Sequence, residues 1–439
     1  MHPKVLLECA ANLLQRVLRF EHPADAVIAT YYRENKGLGP RERQTLSETV
    51  YAVLRNKLLF DHFAPSGSGS KERRMAILGF AAPPEFLEGA INAQEKAWLA
   101  QCKLIKTEDL MDRHRHNLPQ WLADALQAQL GAEFWPLVAA LNQPGPLDLR
   151  VNALKAKRAD VLVALKKAGI KSKATPYAPL GLRLEGKPVL AKVAEFNNGS
   201  VEIQDEGSQL LALLVDAKRG EMVVDFCAGA GGKTLVLGDA MRNSGRLYAF
   251  DTSAHRLEGL KPRLARSGLS NVHPVAIAHE RDERIKRLAG KIDRVLVDAP
   301  CSGLGTLRRH PDLKYRNSLQ TVADYAALQA RILQSAARLV KSGGRLVYAT
   351  CSLLPEENEA NAMAFSQANP DFVPLSVAQL LADLKVENSG LLSTAMATIP
   401  PAESAAPAIE NVANNTSYLR LWPHRHQTDG FFAAVWQRK

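Results

Sequence analysis

Cysteine is scarce in this sequence, and the few residues present form no recognisable framework. Only five occur in 439 residues, and they are scattered: Cys9, Cys102, Cys227, Cys301 and Cys351. An odd set without zinc-ligand spacing excludes a disulfide scaffold and a metal knuckle. We therefore expect free thiols in a reducing compartment, the cytoplasm, and no bound metal.

Long apolar runs are also lacking. No stretch approaches the apolar length that a membrane span requires. The N-terminal segment, which begins with Met1–Lys4, has no apolar core of the kind found in signal peptides. Aromatic residues make up only 6% of the chain, whereas 46% is hydrophobic and 23% is charged. These proportions are typical of a globular protein with two or three domains. The expected state is a monomer without a membrane partner.

Positive charge is in excess. The sequence has 56 Lys and Arg against 45 Asp and Glu, a formal net charge of +11, which favours an anionic partner such as nucleic acid. A dense group follows the Pro- and Gly-rich boundary at 143–146: Lys155, Lys157, Arg158, Lys166, Lys167, Lys171 and Lys173. This group is compatible with tracking a phosphate backbone and equally with a solvated face, so both interpretations stay open.

The spacing of apolar residues divides the chain into three parts. Helical spacing predicts an all-helical domain over residues 1–140. A short alternating run at Leu147–Val151, followed by a helical stretch, predicts a small α+β domain over 145–205. Over 206–439, apolar runs alternate with helical stretches, which predicts a doubly wound, mainly parallel α/β sheet. The predicted strands are 222–226, 246–251, 292–298, 345–350 and 430–436, and the Ser389–Pro407 stretch is predicted to be a mobile insertion.

A glycine-rich turn follows the first of these strands and opens a helix at Asp225–Thr234. Glycine lets a ligand approach the backbone at a helix N-terminus. The end of the turn resembles a phosphate-binding P-loop, but Cys227 stands where that motif requires glycine. Asp251 ends the second strand, where a carboxylate can accept hydrogen bonds from both ribose hydroxyls. An adenosine-containing cofactor is predicted, with NAD and S-adenosylmethionine both open.

Two thiols follow neighbouring strands. Cys301 comes three residues after Asp298, the last residue of the predicted strand 292–298, and Cys351 follows Thr350, the last residue of the predicted strand 345–350. Open α/β sheets bind ligands at these carboxyl ends. A single free cysteine is more often a buried core residue, but two at matching loop positions favour a functional site.

These motifs are similar to those of a known family. The runs Asp298–Gly303, Arg308–Asp312 and Ala349–Ser352, with Pro355–Asn358, resemble the Sun/RsmB family of RNA 5-methylcytosine methyltransferases. The likeness spans Leu147 to the end, and the helical part resembles the NusB-like RNA-binding domain of bacterial members. It implies a Rossmann-like class I methyltransferase domain, S-adenosylmethionine as cofactor and RNA, in particular 16S ribosomal RNA, as partner.

The resemblance also implies roles for individual residues. Carbon 5 of cytosine attacks a methyl donor only after a nucleophile has added to carbon 6. The resemblance assigns that attack to Cys351, product release to Cys301 and contact with the pyrimidine edge to Asp298. The residues expected at the cofactor are Cys227, Ala228, Gly229, Ala230, Gly231, Gly232, Lys233, Asp251, Asp282 and Asp298.

This sequence departs from the family pattern at two points. The segment Val275–Asp282 has no acid at the spacing that the family uses to contact the adenine; Asp282 is the preferred substitute and Glu280 the alternative. Ala230 stands where the family commonly has proline, which loosens the turn without removing a backbone donor.

Two other functions stay open. One is a cytosine-5 methyltransferase acting on transfer RNA, and the other is a non-catalytic RNA-binding ribosome-assembly factor on the same fold. Replacement of Cys351 or loss of the glycines in the turn would favour the non-catalytic factor, and neither is seen.

In a ribosomal RNA enzyme and in a transfer RNA enzyme alike, the target cytosine must leave its stack. Arg308 and Arg309 are candidates for contacting a phosphate near the flipped base.

Overall fold

The computed structural model describes residues 1–395 and 417–439. They form two compact units: Met1–Pro144 with Thr306–Leu319, and Gly145–Gly305 with Gln320–Lys439. Among these residues, no helix combines the length and apolar character needed to span a bilayer.

The N-terminal 144 residues are helical, as the spacing predicts. The helices are α1 (Pro3–Val17), α2 (Ala24–Glu34), α3 (Pro40–Arg55), α4 (Lys57–Phe63), α5 (Lys71–Gly79), α6 (Pro84–Glu88), α7 (Ala93–Leu104), α8 (Asp112–His116), α9 (Gln120–Leu130) and α10 (Phe134–Leu141). Local sequence sets their starts: Pro3 opens α1, and Asn92 and Glu95 form a capping box at α7. Leu7, Leu14, Leu46 and Val50 are among the fully buried core residues.

The remaining helices are α11 (Arg158–Lys167), α12 (Ala194–Asn197), α13 (Glu206–Val215), α14 (Gly232–Ala240), α15 (Ala254–Ser267), α16 (Glu283–Lys286), α17 (Leu313–Arg316), α18 (Leu319–Ala337), α19 (Glu359–Ala368), α20 (Val377–Asp383) and α21 (Pro423–His426). The strands are β1 (Leu147–Val151), β2 (Ser172–Ala174), β3 (Gly181–Leu184), β4 (Val201–Ile203), β5 (Met222–Asp225), β6 (Arg246–Asp251), β7 (Val272–Ala276), β8 (Ile292–Asp298), β9 (Val340–Thr350), β10 (Phe372–Pro374), β11 (Ser393–Ala395), β12 (Ser417–Leu421) and β13 (Phe431–Arg438).

A segment from the second half of the chain completes the first unit. Asp312 Oδ2 accepts a hydrogen bond from Ala24 N at the start of α2, at 3.2 Å and across 288 residues of sequence. Arg55 donates to the carbonyl oxygen of Arg308, and Lys314 Nζ donates to that of Arg55 at 2.9 Å. The domain boundaries expected from the sequence, 1–140, 145–205 and 206–439, stay a prediction. The structure shows in addition that Thr306–Leu319 belongs to the helical unit.

The second unit begins with a small antiparallel sheet in the order β2-β3-β1-β4. Leu149 and Leu182 pair across β1 and β3, and both are fully buried. Val161 and Leu165 of α11 pack into the same core. The predicted strand at Leu147–Val151 and the helix after it are both present.

The large sheet carries the order β11-β12-β13-β9-β8-β5-β6-β7, with β10 paired to β13. The five strands from β5 to β9 run parallel, whereas β10 to β13 are antiparallel additions. The chain moves outward from β5 to β7 and then crosses to β8, so the order reverses beside β5. This confirms the predicted doubly wound sheet, and ligands bind at such a reversal in open α/β sheets.

Both faces of the large sheet are covered, which explains the continuous apolar runs. Val223 and Val347 lie in one core with α13 and α14, whereas their neighbours Val224 and Leu346 lie in the other core with α18. Strands buried on both faces need apolar residues at successive positions rather than alternate ones.

The predicted mobile insertion Ser389–Pro407 is wrong for its first seven residues. Ser389–Leu392 forms a 3-10 turn, and β11 pairs with β12 in register Ser393 to Leu419. Leu392 is fully buried, which fixes this stretch in the core. Residues 396–407 lie outside the described residues.

Candidate active site

The glycine-rich turn leads from β5 into α14 at the strand reversal. Gly229 and Gly231 have φ of +55° and +83°, values at which a side chain is strained. Gly229 N donates to Asp251 Oδ2 at 2.8 Å, which joins the turn to the end of β6. A Cβ built at Gly229 or Gly232 meets nothing closer than 3.8 Å, so open space lies above the turn.

Packing against Leu260 requires glycine at position 231, and the assignment of Gly231 to the cofactor stays a prediction. A Cβ at this position would lie 2.1 Å from Cδ1 of Leu260, which is fully buried in α15. Gly231→Ala is therefore expected to destabilise the protein by roughly 2–4 kcal/mol, because overpacking adds to left-handed strain.

The matched control is Gly232→Ala, since its Cβ would meet nothing closer than 3.9 Å and its φ is not positive. Urea unfolding followed by circular dichroism measures both variants. Equal midpoints for the two would contradict the packing explanation.

Three carboxylates surround the turn. Burial raises the pKa of Asp225 to about 7, although Thr234 Oγ1 donates a hydrogen bond to its Oδ2 at 2.7 Å. Its Oδ1 is buried without a hydrogen-bond partner. Burial, followed by the charges of Asp225, Asp298 and Asp251, raises the pKa of Cys227 well above its usual range. A concentration of negative charge of this kind suits a cationic ligand.

The donor set also discriminates between ligand classes. The first N–H groups of α14 lack intrahelical partners and favour an anionic group such as a carboxylate. The surrounding acids favour positive charge and oppose a triphosphate. An amino acid joined to a sulfonium carries both kinds of charge, so these residues fit S-adenosylmethionine better than a nucleoside triphosphate.

The structure brings the two predicted thiols together. Cys301 Sγ and Cys351 Sγ lie 3.3 Å apart, at the ends of β8 and β9. The two strands pair in parallel with Asp298 opposite Ala349, so the loops that follow start from the same edge. Both side chains are partly exposed. The pair can therefore contact one bound group from one side of the sheet.

A lysine side chain forms an ion pair with Asp298. Lys233 Nζ donates to Asp298 Oδ2 at 2.6 Å. Although burial opposes its charge, Asp298, the hydrogen bond to it and Cys351 raise the pKa of the Lys233 ammonium group. From the sequence, Lys233 was expected only at the cofactor, and its bond to Asp298 was missed. The signal for that bond is the position of Lys233 in the first turn of α14, directly after the glycine-rich turn.

The thiols differ in their surroundings. The hydrogen bond to Cys351, then burial and the charges of Cys351 and Glu357, raise the pKa of Cys301 well above its usual range. Cys301 is therefore held as a neutral thiol at neutral pH.

Asp282 is occupied in capping α16. Its Oδ2 accepts a hydrogen bond from Ala278 N, and its Oδ1 accepts one from Arg284 N, each at 2.9 Å. These backbone bonds, with the Arg284 side chain, hold the pKa of Asp282 well below its usual range. Glu280 Oε1 lies 3.6 Å from Arg331 Nε. The assignment of either acid to adenine stays a prediction.

The assignment of Arg308 and Arg309 to a phosphate near the flipped base stays a prediction. Arg308 belongs to the first unit, where its guanidinium donates to the carbonyl oxygen of Pro144 at 3.4 Å.

Asp225 was not predicted as a site residue from the sequence. Its position at the end of β5, directly before the glycine-rich turn, is the signal that could have identified it.

Comparison with known proteins identifies two matching family models. The model described as 16S rRNA methyltransferase RsmB/F matches residues 212–437. A model of the ferredoxin-like domain of RsmF/B-like methyltransferases matches residues 118–190.

Curated relatives extend the similarity over the chain. The probable ribosomal RNA small subunit methyltransferase B of Bacillus subtilis is 34% identical over 437 residues, covering 92% of each chain. The protein of the same description from Synechocystis is 32% identical, covering 81% of this chain and 74% of the relative.

Two solved structures from Pyrococcus horikoshii are also similar. A methyltransferase homolog is 30% identical with a TM-score of 0.59, covering 76% of this chain and 100% of that one. NSun6, solved with SFG, is 22% identical with a TM-score of 0.58, covering 73% and 98%, and supports the fold alone.

Proposed function

Since the chain belongs to the RsmB/F family of S-adenosylmethionine-dependent 16S rRNA methyltransferases, we propose that it methylates carbon 5 of a cytosine in small-subunit ribosomal RNA through a Cys351 adduct. The observation that carries this proposal is the 3.3 Å approach of Cys301 Sγ to Cys351 Sγ. The pair lies beside the Lys233–Asp298 ion pair. The names of the relatives support the substrate class.

The cofactor cradle is assigned from the turn and the strand ends. When bound, S-adenosylmethionine supplies a methyl group on a positively charged sulfur. The backbone from Cys227 to Lys233, including Ala228 and Ala230, would hold its amino-acid part, and Asp251 would hold the ribose. Asp251 can still accept hydrogen bonds from ribose hydroxyls. Each of its carboxylate oxygens has two lone pairs, and each accepts one backbone N–H, from Gly229 and from Ser253.

The chemistry begins at Cys351. Its thiolate adds to carbon 6 of the extruded cytosine, forming a carbon–sulfur bond and making carbon 5 electron-rich. Asp298 accepts a hydrogen bond from the base edge and stabilises the proton that ring nitrogen 3 takes up from solvent. Lys233 fixes the Asp298 carboxylate in place through its 2.6 Å hydrogen bond.

Release requires a base, and Cys301 is suited to become one at that stage. Once Cys351 is bonded to carbon 6, its sulfur carries no charge, so the charge of Cys351 no longer raises the Cys301 pKa and Cys301 loses its proton to solvent. After carbon 5 has taken the methyl group, the Cys301 thiolate accepts the carbon 5 proton. The electron pair of that carbon–hydrogen bond restores the 5,6 double bond and expels Cys351 as a thiolate, and ring nitrogen 3 returns its proton to solvent.

The three parts of the chain have separate roles in this proposal. Residues 206–439 carry the chemistry, and the small domain at 145–205 contacts RNA through its lysines. Lys166, Lys167 and Lys173 are exposed on α11 and β2, which supports a role in contacting phosphates. The helical residues 1–140 act as a NusB-like RNA-binding domain.

Cys301→Ser is expected to accumulate a covalent protein–RNA adduct, because addition and methyl transfer proceed while proton removal is impaired. The variant is incubated with S-adenosylmethionine and unmodified ribosomal RNA, and a nuclease-sensitive band of reduced mobility is sought on a denaturing gel. The control is Cys301→Ser with Cys351→Ser, in which no band should form. Normal turnover by Cys301→Ser would contradict the assignment.

The substrate is tested in a deletion strain. Bisulfite sequencing should show one or more 16S cytosines that lose protection from conversion, while transfer RNA cytosines keep theirs. Loss confined to transfer RNA would establish the alternative substrate. No loss anywhere would support a non-catalytic assembly factor and overturn the proposed activity.

A further inference from the structure

A buried carboxylate joins the two loops that carry the thiols. Glu357 is fully buried, and its Oε1 accepts a hydrogen bond from Ser302 N at 2.8 Å. Its Oε2 accepts one from Ser302 Oγ at 2.5 Å and another from Ser352 Oγ. Ser302 directly follows Cys301, and Ser352 directly follows Cys351. One side chain therefore bonds to the residue after each thiol.

The helix behind the loops adds a further connection. Gln329 Nε2 in α18 donates to Glu357 Oε1 at 3.0 Å and to the carbonyl oxygen of Pro300 at 2.9 Å. Asn358 donates to the carbonyl oxygen of Ser352 at 3.0 Å and bonds to the hydroxyl of Thr350. Both residues are fully buried, so these bonds form where water does not compete.

We propose that Glu357 is a positioning residue that clamps the Cys301 and Cys351 loops together, holding both sulfurs at a separation that lets them reach one base. This rests on the proposed function, since the separation matters only if both thiols act on the same cytosine. Glu357 touches no reacting atom itself, and its contribution is made through Ser302 and Ser352.

The chemistry of the residue explains why a carboxylate is needed. Its two oxygens accept four hydrogen bonds, and an ionised carboxylate offers only acceptors. A glutamine would present two N–H donors at one end, facing hydroxyls that now donate. Both serine hydroxyls would have to turn, and the two loops would lose a shared acceptor.

A second effect follows from the charge. The Glu357 carboxylate is one of the influences that raise the pKa of Cys301, after the hydrogen bond to Cys351, burial and the charge of Cys351. Removing the carboxylate charge should therefore allow Cys301 to ionise at lower pH. A role confined to fold stability would not predict this change, so it separates positioning at the thiols from general structural support.

The test compares Glu357→Gln with Glu356→Gln, the exposed neighbouring carboxylate. Each full-length variant is treated with a bifunctional thiol reagent of short span, and mass spectrometry of the peptides quantifies the bridge between Cys301 and Cys351. In Glu357→Gln we expect the bridging rate to fall several-fold, alkylation of Cys301 to shift to lower pH, and kcat to fall on the order of 10- to 100-fold at little-changed KM. Glu356→Gln should match the wild type in all three.

If Glu357→Gln does not fold, Ser302→Ala combined with Ser352→Ala removes two of the donors and leaves the carboxylate, and a smaller loss of bridging is expected. Unchanged bridging together with an unchanged alkylation profile, in whichever variant folds, would overturn the clamp. This outcome is distinct from failure of the proposed function, because bridging needs no RNA or cofactor. If Cys351→Ser keeps methylating while Glu357→Gln loses bridging, the adduct chemistry is wrong and the clamp on the loops still holds.

Discussion

Cys351→Ser is expected to abolish methyl transfer, with kcat/KM falling by on the order of 10⁴-fold or more, as for removal of other enzymatic nucleophiles. A serine hydroxyl is not ionised at neutral pH and adds poorly to carbon 6 of a pyrimidine. Transfer of labelled methyl groups to RNA from a deletion strain measures the loss. The substitution removes little volume, so the fold should persist.

The control for this substitution is Cys9→Ser, which changes a thiol in the helical unit and should leave the rate unchanged. Cofactor binding by calorimetry should also be preserved in Cys351→Ser, because the cradle lies on β5, β6 and α14. Methylation by Cys351→Ser at more than a few per cent of the wild-type rate would exclude the adduct mechanism. If Cys301→Ala loses activity and Cys351→Ser does not, Cys301 is the nucleophile and the proposed roles of the two thiols are reversed.

Asp298→Asn is expected to reduce kcat/KM on the order of 10²- to 10⁴-fold, the range for a residue that assists proton movement at the reacting group. The amide cannot stabilise a proton on ring nitrogen 3 as a carboxylate does. Lys233 would also lose the partner that lies 2.6 Å from its Nζ, leaving its charge beside the thiols uncompensated.

Single-turnover measurements identify the step that Asp298→Asn affects. We expect slower formation of the adduct, with RNA affinity changed far less. The matched control is Asp324→Asn, an exposed carboxylate on α18, whose rate should equal that of the wild type. Normal adduct formation by Asp298→Asn would remove this residue from the chemistry.

The large sheet was predictable because burial on both faces makes its strands uniformly apolar. The same logic placed Cys301 and Cys351 together, since the ends of adjacent parallel strands share one edge. The glycine turn was predictable as a site, but the reason for Gly231 was not. That reason is Leu260 in the next helix, and no local pattern encodes such a contact.

Several side-chain roles depend on contacts distant in sequence. Glu357 lies in a motif that was noted, yet its bond to Ser302 spans 55 residues. The ion pair of Lys233 with Asp298 spans 65 residues. Asp282 was selected for its charge and spacing, whereas its carboxylate accepts hydrogen bonds from the N–H of Ala278 and from that of Arg284 in the first turn of α16. The local sequence around a carboxylate does not show which N–H or O–H groups will donate hydrogen bonds to it in the folded protein.

The membership of Thr306–Leu319 in the helical unit has a consequence for synthesis on the ribosome. Domains generally fold as their residues emerge, from the N-terminus onward. Ala24, at the start of α2, must wait for Asp312, which is translated 288 residues later. The helical unit therefore emerges first but acquires its last segment only after β5 to β8 have been made. Ribosome-bound chains that end before this segment should expose its docking surface, and chains that include it should not.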